Sequence, residues 1–93
     1  MAQLLKVDGT THEIEPKDPK KGFLLQECYE LLECDTIEVV YIKHPYILII
    51  DEEGKFKDPC YVNRVATARA ERYISENDFI AGHAIYCRSS ELK

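Results

Sequence analysis

The spacing of apolar residues changes several times along this chain, and each change marks an element. Leu24, Leu25, Cys28, Leu31 and Leu32 recur at i, i+1, i+4, i+7 and i+8. That is one apolar stripe at a helical period, with Gln26, Glu27, Glu30 and Glu33 on the opposite side. Asp18-Pro19 offers an N-cap and N1 proline for this helix, although Gly22 weakens its first turn. A second stripe follows Asn63, a residue suited to an N-cap, through Val62, Val65, Ala66, Ala70, Tyr73 and Ile74. Its polar side carries Arg64, Arg69, Glu71 and Arg72.

Other segments have strand character. Residues 36–42 and Tyr46–Asp51 are dense in Val, Ile and Tyr and are separated by Lys43-His44-Pro45. Ile37, Val39 and Tyr41 share one face of the first, and Val40 and Ile42 share the other. Apolar faces on both sides predict an interior strand, covered twice or lying at an oligomer contact. Residues 2–7 and 10–15 flank Asp8-Gly9, a hairpin signal for a type I′ turn. Asp51-Glu52-Glu53-Gly54-Lys55 reads as a turn with Gly54 at positive φ. Residues 79–87 read as a last strand, and 88–93 as a polar tail expected to fray. The order β-β-α-β-β-α-β predicts an α+β fold with a mostly antiparallel sheet and two helices. One sheet face is expected under the helices and the other under a partner.

Composition narrows this picture. Ninety-three residues suit a single domain spanning 1–93, and 45% hydrophobic with 31% charged residues is ordinary globular usage. A net charge of −5 argues against general nucleic-acid binding, while a local basic patch stays compatible with it. Residues 1–7 lack a secretory apolar core and no run approaches a membrane span, so a cytoplasmic protein with reduced thiols is expected.

The second half carries an ordered pattern: the strand 37–42, an "EEGK" turn at Glu52 to Lys55, Asn63 with Ala66 and Thr67, then Asp78, Ile80, Gly82 and Ala84. In that order and spacing the chain resembles a family of small domains of unknown function from bacteriophages and other bacterial mobile elements. The resemblance implies a phage-type setting and a compact fold, and supplies no activity. Members of that family often carry glycines just after the first helix, where this chain has Glu33-Cys34.

Candidate chemistry is sparse. Cys28, Cys34, Cys60 and Cys87 do not show the close pairs of a zinc module, so no metal and no cofactor is expected. Cys60 in a loop with His44 or His83 nearby is a weak nucleophile hypothesis. Glu52-Glu53 and Glu27/Glu30 read as solvated carboxylates. Asn63 and Arg64 at a helix start, with Lys55 and Arg69, form a candidate anion site. Six tyrosines, with Tyr46 and Tyr61 foremost, suit a protein interface. The leading expectation is a small non-enzymatic accessory protein that binds a host protein, such as a defence or regulatory factor, or itself. The alternative is a binder that sequesters a nucleotide-like or other phosphorylated small molecule. A Cys60 enzyme comes third.

Overall fold

The computed structural model describes residues 2–92. Five strands run as β1 (Ala2–Leu5), β2 (Thr11–Ile14), β3 (Ile37–Tyr41), β4 (Tyr46–Asp51) and β5 (Ala84–Arg88), with helices α1 (Leu25–Leu32) and α2 (Arg64–Ala70). They form one antiparallel sheet in the order β2-β1-β5-β4-β3. The expected α+β order β-β-α-β-β-α-β is the one found.

Side-chain parity divides the apolar residues into two layers. Ile47, Ile49, Ile85, Cys87 and Ala2 pack with Phe23, Cys28 and Leu32, beneath α1. Leu48, Ile50, Ala84 and Leu5 pack with Ala66, Ala70 and Ile80, beneath α2. The helices therefore lie on opposite faces, and neither face is left wholly to a partner as the sequence had suggested. Nor is β3 interior. It is an edge strand with half-buried side chains, and β4 beside it is the buried one.

Several local expectations change for stated reasons. Asp8 is not at positive φ, so the hairpin turn is not type I′. Gly9 alone takes φ 91°, its N–H donates to the Lys6 carbonyl, and Lys6 N–H donates to the Thr10 carbonyl. This is a three-residue loop with glycine in the left-handed position. Gly54 is not at positive φ either. A Cβ there would meet the Ala81 carbonyl oxygen at 2.6 Å, so close backbone approach demands the glycine.

Asp18 caps a tight turn, accepting from Lys20 N–H, and α1 begins later with Leu24 at its N-cap. Glu27, expected on the solvated side, is buried because its carboxylate accepts from Leu24 N–H at 3.3 Å and Lys17 N–H at 2.9 Å. Glu33 closes α1 at φ 55°, in the corner where the resembling family often has glycine. Of the tail expected to fray, residues 88–92 are tied down and residue 93 lies outside the described residues: Phe23 N–H donates to the Glu91 carbonyl, Phe23 and Leu92 form a parallel bridge, and Leu92 packs on the α1-side core.

Candidate functional site

The α2-side face is not evenly covered. α2 spans seven residues and ends at Ala70, leaving the end of the sheet near the β3–β4 turn outside its reach. Alternation places Gln3, Tyr86, Arg88 and Tyr46 on this face. Leu48 is paired with Tyr86, so Tyr46 is the diagonal neighbour of Tyr86. The two rings stack with centroids 5.0 Å apart and planes 9° apart.

Arginines extend the stack on both sides. The Arg69 guanidinium, in the last turn of α2, lies 4.4 Å from the Tyr86 ring centroid and donates to Gln3 Oε1 at 3.0 Å. That of Arg88 lies 5.9 Å from the Tyr46 centroid. A guanidinium held over a ring keeps N–H groups for a carboxylate or phosphate. After Ala70 the chain turns, Tyr73 N–H donating to the Ala70 carbonyl, and brings Tyr73 to the same place. On the other side, the tight turn closed by Tyr46 N–H and the Lys43 carbonyl presents Lys43 and His44.

These residues enclose a cleft of about 360 Å³ lined by Ile42, Lys43, His44, Tyr46, Arg69, Tyr73 and Tyr86. Among the described residues no carboxylate lines it. Four other clefts each carry one or more: Glu15 and Glu91; Glu71, Glu76 and Asp78; Glu30, Glu33 and Asp35; Glu33 and Asp51. Of these five clefts in a chain of net charge −5, it is the one whose lining side chains suit an anion.

The anion site expected at the start of α2 is not assembled. Asn63 is fully buried and spends its side chain inside the fold: Oδ1 accepts from Ala66 N–H, and Nδ2 donates to the Leu5 and Gly82 carbonyls. Arg64 faces Glu71, Glu76 and Asp78 across its own groove. Lys55 is engaged by Asp78 and sits 5.3 Å from the Phe79 ring centroid. Arg69 alone of that group joins the cleft, where the Tyr86 ring stands between it and Tyr46.

Tyr61 is 60% exposed and lines a different cleft with His83, Asp51 and Lys57. There the buried Asp51 carboxylate holds Lys57 Nζ at 2.6 Å and raises the lysine's pKa. His83 spends both ring nitrogens locally: Nδ1 accepts from Val7 N–H at 3.2 Å, and Nε2 faces Glu33 Oε2 at 3.4 Å. It has no lone pair to offer the exposed Cys60. Among the described residues, no group of three or more His, Cys, Asp or Glu is placed to hold a metal ion. Nor is any helix long and apolar enough to cross a membrane.

Sequence reasoning missed Tyr86, Arg88, Tyr73, Lys43 and His44 as a group. The signal was present as parity: residues 84, 86 and 88 share a face, as do 46, 48 and 50, but the pairing of β4 with β5 was not readable. A family model described as Domain of unknown function (DUF3846) matches residues 2–92. No curated protein and no solved structure matches the chain.

Proposed function

We propose that this chain, which belongs to the DUF3846 family of domains of unknown function, binds a small phosphate-bearing ligand stoichiometrically in the Tyr46–Tyr86–Arg69 cleft. The observation that carries this reading is a carboxylate-free cleft with Lys43, His44 and Arg69 on its walls, in an acidic protein. Its volume falls in the range of small-molecule sites, roughly 300–1,000 Å³. Arg69 supplies a planar donor held by Tyr86, Lys43 a mobile point charge, and Tyr73 a planar surface for a base or sugar. The ligand class is nucleotide-like, and the role is sequestration without turnover, suited to the phage-type accessory setting that the ordered sequence motifs suggest. Titration with ATP, AMP and inorganic phosphate, followed by calorimetry at two salt concentrations, tests it. Binding that Arg69→Gln removes and salt weakens supports the reading; no binding of any of the three overturns it.

One observation favours a second reading, in which a host defence or regulatory protein is the partner. Phe56, Tyr61 and Val62 are 85%, 60% and 46% exposed within one short segment. Exposed aromatic anchors of this kind dominate many protein interfaces. On that reading Tyr61→Ala and Phe56→Ala remove activity, and Arg69→Gln leaves it unchanged.

A further inference from the structure

The stack Arg69–Tyr86–Tyr46–Arg88 is built unequally at its two ends. At the inner end the Arg69 guanidinium lies 4.4 Å from the Tyr86 centroid and is tied by Gln3 Oε1, on the residue directly opposite Tyr86 in β1. That end is closed. At the outer end Arg88 stands directly opposite Tyr46, with its guanidinium over the Tyr46 ring at 5.9 Å from the centroid. Tyr86 stacks on one face of Tyr46 at 5.0 Å, which leaves the other face to Arg88. At 5.9 Å the guanidinium is not seated on the ring as that of Arg69 is, and Tyr46 stays half-buried. The backbone here is fixed, since Arg88 N–H donates to Glu91 Oε1 at 2.9 Å and Ser89 N–H to the Pro45 carbonyl. The side chain is not. Arg88 is exposed, and among the described residues no carboxylate forms an ion pair with its guanidinium.

We propose that the outer face of Tyr46 is a nucleobase seat closed by Arg88, and that the ligand of the cleft is a nucleoside di- or triphosphate. A planar base held between a ring and a guanidinium needs two stacking contacts, about 7–8 Å in all. Arg88 reaches that spacing by moving outward about 1–2 Å, a small shift for an exposed side chain. A guanidinium suits the closing role because it stacks on an aromatic plane and keeps its charge. Tyr73 also lines the cleft, but among the described residues no cation lies over its ring, so a base there would be held on one side only. The cations set the length of the phosphate chain. Lys43 and His44 belong to the turn that ends at Tyr46, whereas Arg69 lies on the far side of Tyr86. Phosphates in series meet both groups, which favours a di- or triphosphate over a single phosphate.

This inference rests on the anion reading of the cleft, and two probes separate them. ATP and inorganic tripolyphosphate share the phosphate chain and differ in the nucleoside, so calorimetry with each isolates the base contact. ATP should bind roughly tenfold tighter or more. Arg88→Lys keeps the charge and loses the plane, and should lower that ratio about tenfold. The ring protons of Tyr46 should shift upfield with ATP and stay in place with tripolyphosphate, a nuclear magnetic resonance signature read on the wild-type chain. Equal affinity for the two probes overturns the base seat and leaves the anion cleft standing. So does a ratio that Arg88→Lys leaves intact, or an unmoved Tyr46 ring, the latter holding even where the variant fails to fold. Binding of neither probe overturns both readings.

Discussion

The Asn63 side-chain amide donates to the Leu5 carbonyl at 2.8 Å, joining residues 58 apart in sequence. The same amide donates to Gly82 O, while Asn63 Oδ1 caps α2. One buried side chain thus fastens β1, the segment before β5 and the start of α2. Asn63→Ala should cost about 2–4 kcal/mol, from the lost cap and from carbonyls left unpaired in the interior. Urea denaturation measures it, and a cost under about 1 kcal/mol would show that water reaches these groups.

Gly54→Ala should destabilise by about 1–3 kcal/mol, since the new methyl overlaps the Ala81 carbonyl oxygen, a backbone atom with little room to move. Gly9→Ala should also be unfavourable, but for its positive φ, with nothing within 4 Å of the added carbon. Thermal melts of the two variants, with far-ultraviolet circular dichroism as a fold check, separate a steric cause from a conformational one.

Glu33→Gly should stabilise the chain by about 0.5–1 kcal/mol. A left-handed non-glycine residue costs about 1–2 kcal/mol, and the glycine loses part of that gain as unfolded-state entropy. The ion pair it removes joins His83 to a carboxylate that is 77% exposed and contributes little. A lower melting temperature would mean that the His83 contact outweighs the strain.

The thiols should fall into two classes. Cys60 is exposed and Cys34 partly so, whereas Cys28 and Cys87 are buried. Burial pushes Cys28 up to about 11 and Cys87 up to about 12, with neighbouring carboxylates adding to both. An unfolded thiol ionises near pH 8.5, so the folded state holds these two protons longer. Their contribution is complete below about pH 8.5 and is lost as pH rises toward 11–12, by up to roughly 1.4 kcal/mol per thiol per pH unit. Stability should therefore fall steeply above pH 9, and Cys87→Ala should flatten the fall. A colorimetric thiol reagent should titrate Cys60 first and all four thiols only in denaturant.

In the cleft, Arg69→Ala should weaken binding of a phosphate-bearing ligand by about 1.5–3 kcal/mol, the loss of one charge-assisted contact. Arg64→Ala should leave that binding unchanged, because Arg64 lies in the acidic groove beside Glu71 and Asp78. Calorimetry with ATP as the probe compares the two. Equal losses from both variants would relocate the site to α2 as a whole.

Much of the fold was legible because period-2 and period-3.6 patterns are local properties of the chain. Cys28 and Leu32 on α1, Ile47–Ile50 on β4, and Asn63 as an N-cap all follow from spacing and residue type. The position of β3 was not legible, since an apolar strand at an edge and one in the interior read alike until pairing is known. Glu27 was misassigned because its burial depends on an N–H from Lys17, outside the helix. The cleft was least legible of all. Tyr46 and Arg69 were singled out separately, and only the ladder between Tyr46–Asp51 and Ala84–Arg88 brings Tyr86 between them.

The strand order β2-β1-β5-β4-β3 places the last strand of the sequence at the centre of the sheet. The hairpins β1–β2 and β3–β4 each join neighbours in the chain and can close quickly, yet a two-stranded ribbon is marginal alone. They have no edge to share until Ala84–Arg88 slides between them. Folding of this domain is therefore all but impossible to complete in stages from the N-terminus. On a ribosome the two hairpins would wait, apolar faces showing, until the final strand emerged, and a chain cut before residue 84 would remain a substrate for chaperones and proteases rather than a smaller folded unit.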